Sequence, residues 1–445
     1  MKKIAVLGGG ESGCGSAVLA RRRGMDVFLS DSGGIAPRYR IMLEAEGIPF
    51  EEGGHTLERI LSASEVVKSP GIPETAPVVR AVREKGIPVV SEIEFAGRYC
   101  NGRTVCITGS NGKTTTATLT HSIMQAAGID AALCGKIGSS FAHSVAEERH
   151  DWYVIELSSF QLDGMYDFRA DIAVLTNITP DHLDRYDHRL ENYAASKMRV
   201  IRNQGPGQTF IYSADDPLTV NMLEGTDLKM KALSFSTADR ADTAAAISDG
   251  RLTIRADGKA LSVDPQRLRI KGLHNIRNAE AAALAALEAG ACPFVTEEAL
   301  YEFSGVEHRM EFVAETDGVE WINDSKATNV DSVWYALESM RRPTIWIAGG
   351  TDKGNDYGPL KALAREKVKA LVCMGLDNSK LVREFTGTVA RIYDTRSLDE
   401  AIAACRGEAA AGDTVLLSPA CASFDLFSNY EDRGRQFKSK VLEKK

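Results

Sequence analysis

Short apolar runs alternate with helix-forming segments almost from end to end of the chain. Lys3–Leu7 reads as an apolar strand, 12–23 as a helix and Asp26–Ser30 as a second strand; the same beat resumes with a strand at 103–107 and a helix at 113–127. Such alternation predicts parallel sheets flanked by helices, an α/β fold. A polar segment at 97–103, GRYCNGR, separates a helix from the next strand, and a second break lies at 304–308. Beyond it the alternation restarts with strands at 319–322, Thr344–Ala348, 370–374 and 414–418. Three domains are expected, over residues 1–98, 99–305 and 306–445.

Length agrees with that division, because hydrophobic cores stop growing at roughly 250–300 residues and this chain has 445. Hydrophobic residues make up 44% and charged ones 26%, yet no run of about 18 consecutive apolar residues occurs. No membrane insertion is expected. The opening MKKIAVLGGG has two lysines before an apolar run, but glycines interrupt it after about four residues. It reads as a first buried strand rather than a signal peptide. Eight scattered cysteines contain no C-x-x-C pair, which points to a reducing cytoplasm. The net charge of −8 argues against a broad phosphate-binding surface, and no nucleic-acid partner is expected.

The strongest motif is TGSNGKTT, residues 108–115, between a strand and a helix. Glycines let backbone N–H groups approach phosphate oxygens, the helix N-terminus adds a favourable dipole, Lys113 reaches the outer phosphates and the Thr114 hydroxyl ligates magnesium. The full pattern would place another glycine at 107, where this chain has Ile107, so the loop is a shortened variant. Near the N-terminus, Gly8, Gly10 and Gly13 follow a strand in the G-x-G-x-x-G pattern, with Asp31 near the place of a ribose-binding acid. That geometry holds any diphosphate, NAD being one version.

Further candidates lie at strand ends. In YVIELSSFQL, residues 153–162, Glu156 ends an apolar strand near the carboxyl edge of the sheet, where it is either a magnesium ligand or a capping acid. His182, in NITPDHLDRY, follows a proline turn between Asp181 and Asp184 and could join Glu156 and Thr114 around one or two metal ions; a solvated histidine is the plain alternative. Lys197, in YAASKMR, lies on a helix, where most lysines face water. In the last third, HRME supplies Arg309, a planar cation suited to phosphate. NDSKATN places Asp324, Lys326 and Thr328 on a loop, AGGTDKG adds Asp352 and Lys353, and SPACASFDLFSNYEDRG offers Ser423. Three polar loops at strand ends of one sheet point toward a shared cleft.

Taken together, GSNGKTT, ELSSFQL, DHLDRY, HRME, DSKATN and SPACASFD resemble the Mur ligases of bacterial cell-wall synthesis over essentially the whole chain, and the resemblance implies D-glutamate and UDP-N-acetylmuramoyl-L-alanine as substrates. The resemblance implies a Rossmann-like N-terminal domain for the UDP-sugar, a P-loop-type central ATPase domain with a mostly parallel sheet, and a Rossmann-like C-terminal domain for the amino acid. It implies a cytoplasmic monomer that uses ATP and magnesium, with two ions, and works through an acyl phosphate. The first glycine motif becomes a UDP site rather than an NAD site.

Residue by residue, the resemblance assigns Thr114, Glu156 and His182 to the metal shell, and Lys197 to the lysine that the family carries as a carbamate. Lys113 and Arg309 complete the catalytic set. Gly109, Ser110, Asn111, Gly112, Lys113, Thr114 and Thr115 correspond to ATP-contacting positions, as do Asn275 and Asn278 of HNIRN, Arg309 and Asp324. Gly10, Ser12, Gly13, Asp31, Ser69, Gly71 and Ser158 fall on the UDP-substrate side. Lys326, Thr328, Lys353, Ser423, Phe424 and Tyr430 fall where the D-glutamate pocket lies. Two positions depart from the pattern: Lys136 stands where many relatives have asparagine, and DSGG, at 31–34, lacks the arginine of some members.

Competing readings account for less. A folate-type glutamate ligase shares the ATP-domain logic but needs neither the N-terminal glycine motif nor SPACASF. An NAD-linked oxidoreductase leaves GSNGKTT unexplained, and a nucleotide-switch module would hydrolyse ATP without any amino acid.

Overall fold

The computed structural model describes residues 2–135, 139–181, 183–352 and 354–443, apart from the side chains of Asp184 and Asp331. Lys136, His182 and Lys353 lie outside the described residues. Contacts divide the chain into two compact units, Met1–Leu268 with Leu273–Phe303, and Arg269–Gly272 with Ser304–Lys445.

The first unit holds two sheets. Strands β1 (Lys3–Leu7), β2 (Asp26–Ser30), β3 (Phe50–Glu51), β4 (Glu65–Lys68) and β5 (Val89–Val90) form an all-parallel sheet in the order β3-β2-β1-β4-β5. β1 is buried from Ile4 to Leu7, as expected of a strand covered on both faces. Strand order reverses between β1 and β4, so the glycine loop after β1 opens at a topological switch point, where such sheets bind ligands. The helix after it begins at Glu11, one residue earlier than expected, because Gly10 takes the extended N-cap conformation, and it ends at Arg22.

The central sheet contains β6 (Arg103–Thr108), β7 (Ala131–Gly135), β8 (Trp152–Glu156), β9 (Ile172–Leu175), β10 (Thr209–Ser213), β11 (Lys231–Ser236), β12 (Ala245–Ser248), β13 (Arg251–Ala256) and β14 (Lys259–Val263). Its order is β14-β13-β12-β11-β10-β9-β6-β8-β7. It is parallel from β7 to β12 and closes in an antiparallel meander, β12-β13-β14, that the alternation of apolar runs did not announce. β6 lies between β8 and β9, so the phosphate loop after it is flanked by the ends of both.

Three acidic residues join these two sheets. Glu11 accepts the Ser140 N–H at 3.1 Å and Glu92 accepts that of Ala142 at 2.9 Å, so two carboxylates cap the helix Phe141–Glu147. Glu94 Oε2 accepts three successive N–H groups, from Tyr166 (2.9 Å), Asp167 (3.1 Å) and Phe168 (2.9 Å). Hydrogen bonds to a charged acceptor, such as the three on Glu94, contribute about 1.5–3 kcal/mol each. Glu92 and Glu94 both sit on the helix Glu92–Gly97, immediately before the polar segment read as a boundary. One buried cluster runs from Ile4 and Val6 to Phe210, so the N-terminal and central sheets share a core.

The second unit contains β15 (Glu311–Thr316), β16 (Val319–Asn323), β17 (Thr344–Ala348), β18 (Val368–Met374), β19 (Ile392–Thr395) and β20 (Thr414–Leu417), in the order β15-β16-β20-β17-β18-β19. Only the β15-β16 pair is antiparallel. β18 starts at Val368, two residues before the expected 370. Because β20 lies between β16 and β17, the three polar loops that follow these strands leave adjacent strand ends.

Candidate functional site

The phosphate loop owes its shape to two glycines in conformations that side chains avoid. Gly109 has φ of +148° and a Cβ there would lie 1.9 Å from Thr176 Oγ1; Gly112 has φ of +82° and a Cβ would lie 2.3 Å from Asn278 Oδ1. Residues after β9 pin the loop from the other side. Ser110 N–H donates to Asn177 O and Asn111 N–H to Asn177 Oδ1, both at 2.9 Å, while Thr176 Oγ1 donates to Asn111 O at 2.6 Å. Ser110 Oγ donates to Thr179 O at 2.9 Å and contacts the Tyr193 hydroxyl at 3.1 Å. Thr176, Asn177, Thr179 and Tyr193 carry no role in the sequence reading; NIT directly after an apolar strand was the available signal.

Lys113 opens the helix Lys113–Ala126 and folds back, donating to the carbonyls of Gly109 and Ser110 at 2.8 Å each. Thr114 and Thr115 are buried beside it. Lys197 is only 1% exposed, which overturns the solvated-helix reading of this position. Its Nζ donates to Gly109 O at 2.7 Å and lies 4.6 Å from the centre of the Tyr193 ring, so two lysines meet on one carbonyl of the phosphate loop. The motif YAASKMR alone could not show this, because burial here follows from packing of the helix Leu190–Met198 rather than from its own apolar pattern.

Glu156 is the last residue of β8, next to β6, and its Oε2 is buried with no hydrogen-bond partner among the described residues. An orphaned carboxylate oxygen beside a phosphate loop has the donor chemistry a hard cation needs. Asn275 and Asn278 share the helix Leu273–Glu288, where Asn278 Oδ1 accepts from Thr116 at 3.3 Å and its amide donates to Asn275 at 3.1 Å. Both asparagines therefore back the phosphate helix.

At the first glycine loop, fold and ligand make separate demands. A Cβ on Gly13 would fall 1.8 Å from Gly8 O, and one on Gly8, at φ +99°, would fall 2.6 Å from Ser69 Oγ; a Cβ on Gly10 would meet nothing within 4 Å. Ser69 Oγ is buried there without a hydrogen-bond partner among the described residues. Asp31 accepts the Gly9 N–H at 2.5 Å and the Gly33 N–H at 2.7 Å, so its carboxylate clamps its own loops. A cavity of about 300 Å³ links the two sheets of this unit, with Ser12 and Gly71 at the N-terminal sheet and Lys113, Ser158, Tyr193 and Lys197 at the central one. Ser158 also caps its short helix through a reciprocal pair of bonds with Gln161.

In the second unit, Asp324 accepts from Ser418 Oγ at 2.7 Å and from Met310 N–H at 3.2 Å, and burial pushes its carboxyl up to about 7. Arg309 Nε is buried without a hydrogen-bond partner among the described residues. Lys326 Nζ lies 5.9 Å from the Tyr430 ring centre, Thr328 is half-buried, Ser423 is buried and Phe424 is 69% exposed. Arg433, which the sequence reading missed, ties the polar loops together. Its guanidinium donates to Ser325 Oγ and Ser325 O at 2.9 Å each, to Cys421 O at 3.3 Å and to Gly349 O at 3.5 Å. Arg433 stands four and eight residues before the buried Phe437 and Val441, and a charge on the apolar row of a helix was the signal for it.

Three families match the chain in succession: the Mur ligase MurD-like N-terminal domain at residues 2–91, the Mur ligase middle domain at 107–286 and the Mur ligase glutamate ligase domain at 308–421. The UDP-N-acetylmuramoylalanine--D-glutamate ligase of Bacteroides fragilis is 51% identical over 444 residues, covering 100% of both chains. That of Porphyromonas gingivalis is 52% identical over 441 residues, covering 99% of this chain and 98% of its own. Among solved structures, the UDP-N-acetylmuramate-alanine ligase of Thermotoga maritima shares the fold, with a TM-score of 0.63 at 18% identity and 99% of each chain covered. So does MurF of Acinetobacter baumannii, with a TM-score of 0.62 at 15% identity over 94% of this chain and 91% of its own. With a phosphate loop, a diphosphate-type glycine loop and a cavity between them already in place, these matches make the chain a member of the Mur ligase family.

Proposed function

We propose that this chain is the ATP-dependent ligase that joins D-glutamate to UDP-N-acetylmuramoyl-L-alanine in the cytoplasm, acting as a monomer and releasing ADP and phosphate. The observation that carries the reading is the cavity of about 300 Å³ lined by Ser12 and Gly71 of the N-terminal sheet's loops together with Lys113 and Lys197. It suits an acceptor held by its diphosphate while its far carboxylate reaches the ATP. Relatives at about half identity over the full chain carry that activity in their names.

A carboxylate is a poor acylating agent. Its oxygen attacks the γ-phosphorus, the bond from that phosphorus to ADP breaks, and the acyl phosphate now has a good leaving group. The amine of D-glutamate then attacks the acyl carbon, the carbon–oxygen bond to phosphate breaks through a tetrahedral intermediate, and the amine gives up a proton. Lys113 exchanges its two carbonyl bonds for phosphate oxygens and offsets the charge that develops there. Asn275 and Asn278 hold the nucleotide end in the first unit, and Arg309 and Asp324 are the proposed nucleotide contacts of the second. Ser12, Ser69 and Gly71 hold the UDP-sugar, with Gly10 leaving room for its diphosphate. Lys326, Thr328, Lys353, Ser423, Phe424 and Tyr430 receive the amino acid. The orphaned Glu156 oxygen fits a cation, and magnesium held by Thr114, Glu156, His182 and a carbamylated Lys197, as two ions, would neutralise charge on the transferred phosphoryl group.

Phosphate release measured with each substrate omitted in turn tests the reading. Release is expected only when ATP, UDP-N-acetylmuramoyl-L-alanine and D-glutamate are all present. L-glutamate should be refused, because the wrong isomer leaves buried donors unpaired at about 1–3 kcal/mol each. Release without an amino acid, or equal use of both isomers, refutes it.

A further inference from the structure

Two loops of the second unit, 349–357 after β17 and 418–423 after β20, meet through their backbones. Thr351 N–H donates to Ala422 O at 2.8 Å and Ala422 N–H to Thr351 O at 3.2 Å, and a Cβ on Gly350 would lie 2.2 Å from Ala422 O. Tyr357 is buried under this contact, with its ring edge-on to Phe385 at 6.0 Å. Its hydroxyl donates to Asp352 Oδ2 at 2.8 Å and lies 3.2 Å from Cys421 Sγ. The other oxygen of Asp352 accepts the N–H groups of Gly354 at 2.6 Å and Asn355 at 3.0 Å and the Lys380 ammonium at 3.2 Å. The Asn355 amide, in turn, donates to Ala420 O at 3.0 Å.

The ring of Tyr357 fills space that a phenylalanine would fill as well. The hydroxyl adds something that packing does not require: it takes the one Asp352 oxygen that its own loop leaves over, and it touches the cysteine two residues before Ser423. Partial burial pulls the Asp352 carboxyl upward, but bonds from Tyr357, Gly354, Asn355 and Lys380 outweigh it and hold the group below its ordinary range. The carboxylate is therefore a charged hub of its own loop, and the Tyr357 hydroxyl is what joins that hub to Cys421 on the other loop. Without the hydroxyl the carboxylate would be held on one oxygen only, and the loops would keep the Thr351–Ala422 pair, the Gly349 N–H on Pro419 O and the Asn355 amide on Ala420 O but lose the link from Asp352 to Cys421.

We propose that the Tyr357 hydroxyl is a positioning group for amino-acid recognition, fixing the loop that carries Asp352 against the loop that carries Ser423 and thereby setting the grip on D-glutamate. This rests on the function proposed above. The test is a Tyr357→Phe variant of the full chain, with kcat, the KM of each substrate and the melting temperature measured side by side. The KM for D-glutamate should rise about fivefold to tenfold, the size expected when a hydrogen bond that orders a binding loop is lost, with kcat and the other two KM values within about twofold. Lys380→Met, which strips the outer partner from the same carboxylate, should move the D-glutamate KM the same way by about twofold to threefold. A well-folded Tyr357→Phe chain with an unchanged D-glutamate KM overturns the proposal, and so does a loss of kcat with every KM unchanged. Should Tyr357→Phe melt early, an unaltered D-glutamate KM in Lys380→Met overturns it as well. Phosphate release by the unaltered chain that ignores D-glutamate would instead sink the proposed function itself.

Discussion

Gly10 and Gly13 lie three residues apart in one loop, and the structure predicts opposite consequences for the same substitution. In Gly13→Ala the new methyl would sit 1.8 Å from the Gly8 carbonyl oxygen and 2.9 Å from its carbon, both backbone atoms that cannot swing away. Relief requires the helix Glu11–Arg22 to lift off β1 by more than an ångström. Overpacking costs about 1–3 kcal/mol, and a backbone clash belongs at the upper end of that range. At about 2–4 °C per kcal/mol for domains of 150–250 residues, the melting temperature should fall by about 6–12 °C. In Gly10→Ala the methyl meets no protein atom within 4 Å. The loss of a glycine N-cap is offset by a less flexible unfolded chain, a gain of about 0.4–1 kcal/mol, so the melting temperature should stay within about 3 °C. On the proposed function, that methyl enters the space an acceptor diphosphate would use. A cost of about 1.4 kcal/mol there raises the KM for the UDP-acceptor tenfold. Differential scanning fluorimetry and initial-rate kinetics on both variants measure the contrast. A Gly13→Ala chain as stable as its parent, or a Gly10→Ala chain with unchanged acceptor KM, refutes the assignment of one glycine to the fold and the other to the ligand.

Other expectations bear on charge. Lys113→Ala should lower turnover by orders of magnitude while the circular dichroism spectrum is kept, since a lost cation at the phosphates costs several kcal/mol; near-normal turnover would remove Lys113 from the chemistry. If carbon dioxide adds to the neutral Lys197 amine, forming a nitrogen–carbon bond as the amine proton leaves, activity should fall in carbonate-stripped buffer and recover on adding bicarbonate, with Lys197→Arg inactive in both. Activity indifferent to bicarbonate together with an active Lys197→Arg chain would contradict the carbamate. Burial raises the Glu92 carboxyl from 4.5 to about 7. The folded state then binds the proton more tightly than the unfolded chain, so stability that this group contributes below pH 4.5 is lost as pH rises to about 7. Urea midpoints of parent and Glu92→Gln at pH 5 and pH 8 should diverge in favour of the variant at the higher pH; a constant gap shows that Glu92 does not titrate in this window.

Much of the fold was legible because a parallel sheet writes itself as apolar runs, and because phosphate loops need glycine where backbone conformation leaves no choice. β1 with its glycine loop, β6 with Lys113 and β8 ending in Glu156 could all be read this way. What escaped depends on partners far along the chain. Lys197 looks like any helical lysine until the helix Leu190–Met198 packs and delivers its ammonium to Gly109, 88 positions away. Asp31 resembles a ribose-binding acid by spacing, yet it spends its oxygens on Gly9 and Gly33. The antiparallel strand β13 carries alternating burial, a pattern an eye tuned to continuous apolar runs passes over. Arg433 serves three loops that only the strand order β16-β20-β17 makes neighbours.

The carboxylates of Glu92 and Glu94 fasten the helix between the N-terminal and central sheets to backbone on the central side. The span from Ser12 and Gly71 to Lys113 and Lys197 is thereby a length built into the protein, not one that each ligand chooses. Such a span acts as a gauge. On the proposed function, an acceptor anchored at the N-terminal side presents its far end to the phosphate loop only if the number of bonds between its two ends matches the gap. One residue too few stops short, and one too many crowds the lysines. Selection among precursors that differ by a single amino acid can then begin before any side chain of the newcomer is inspected.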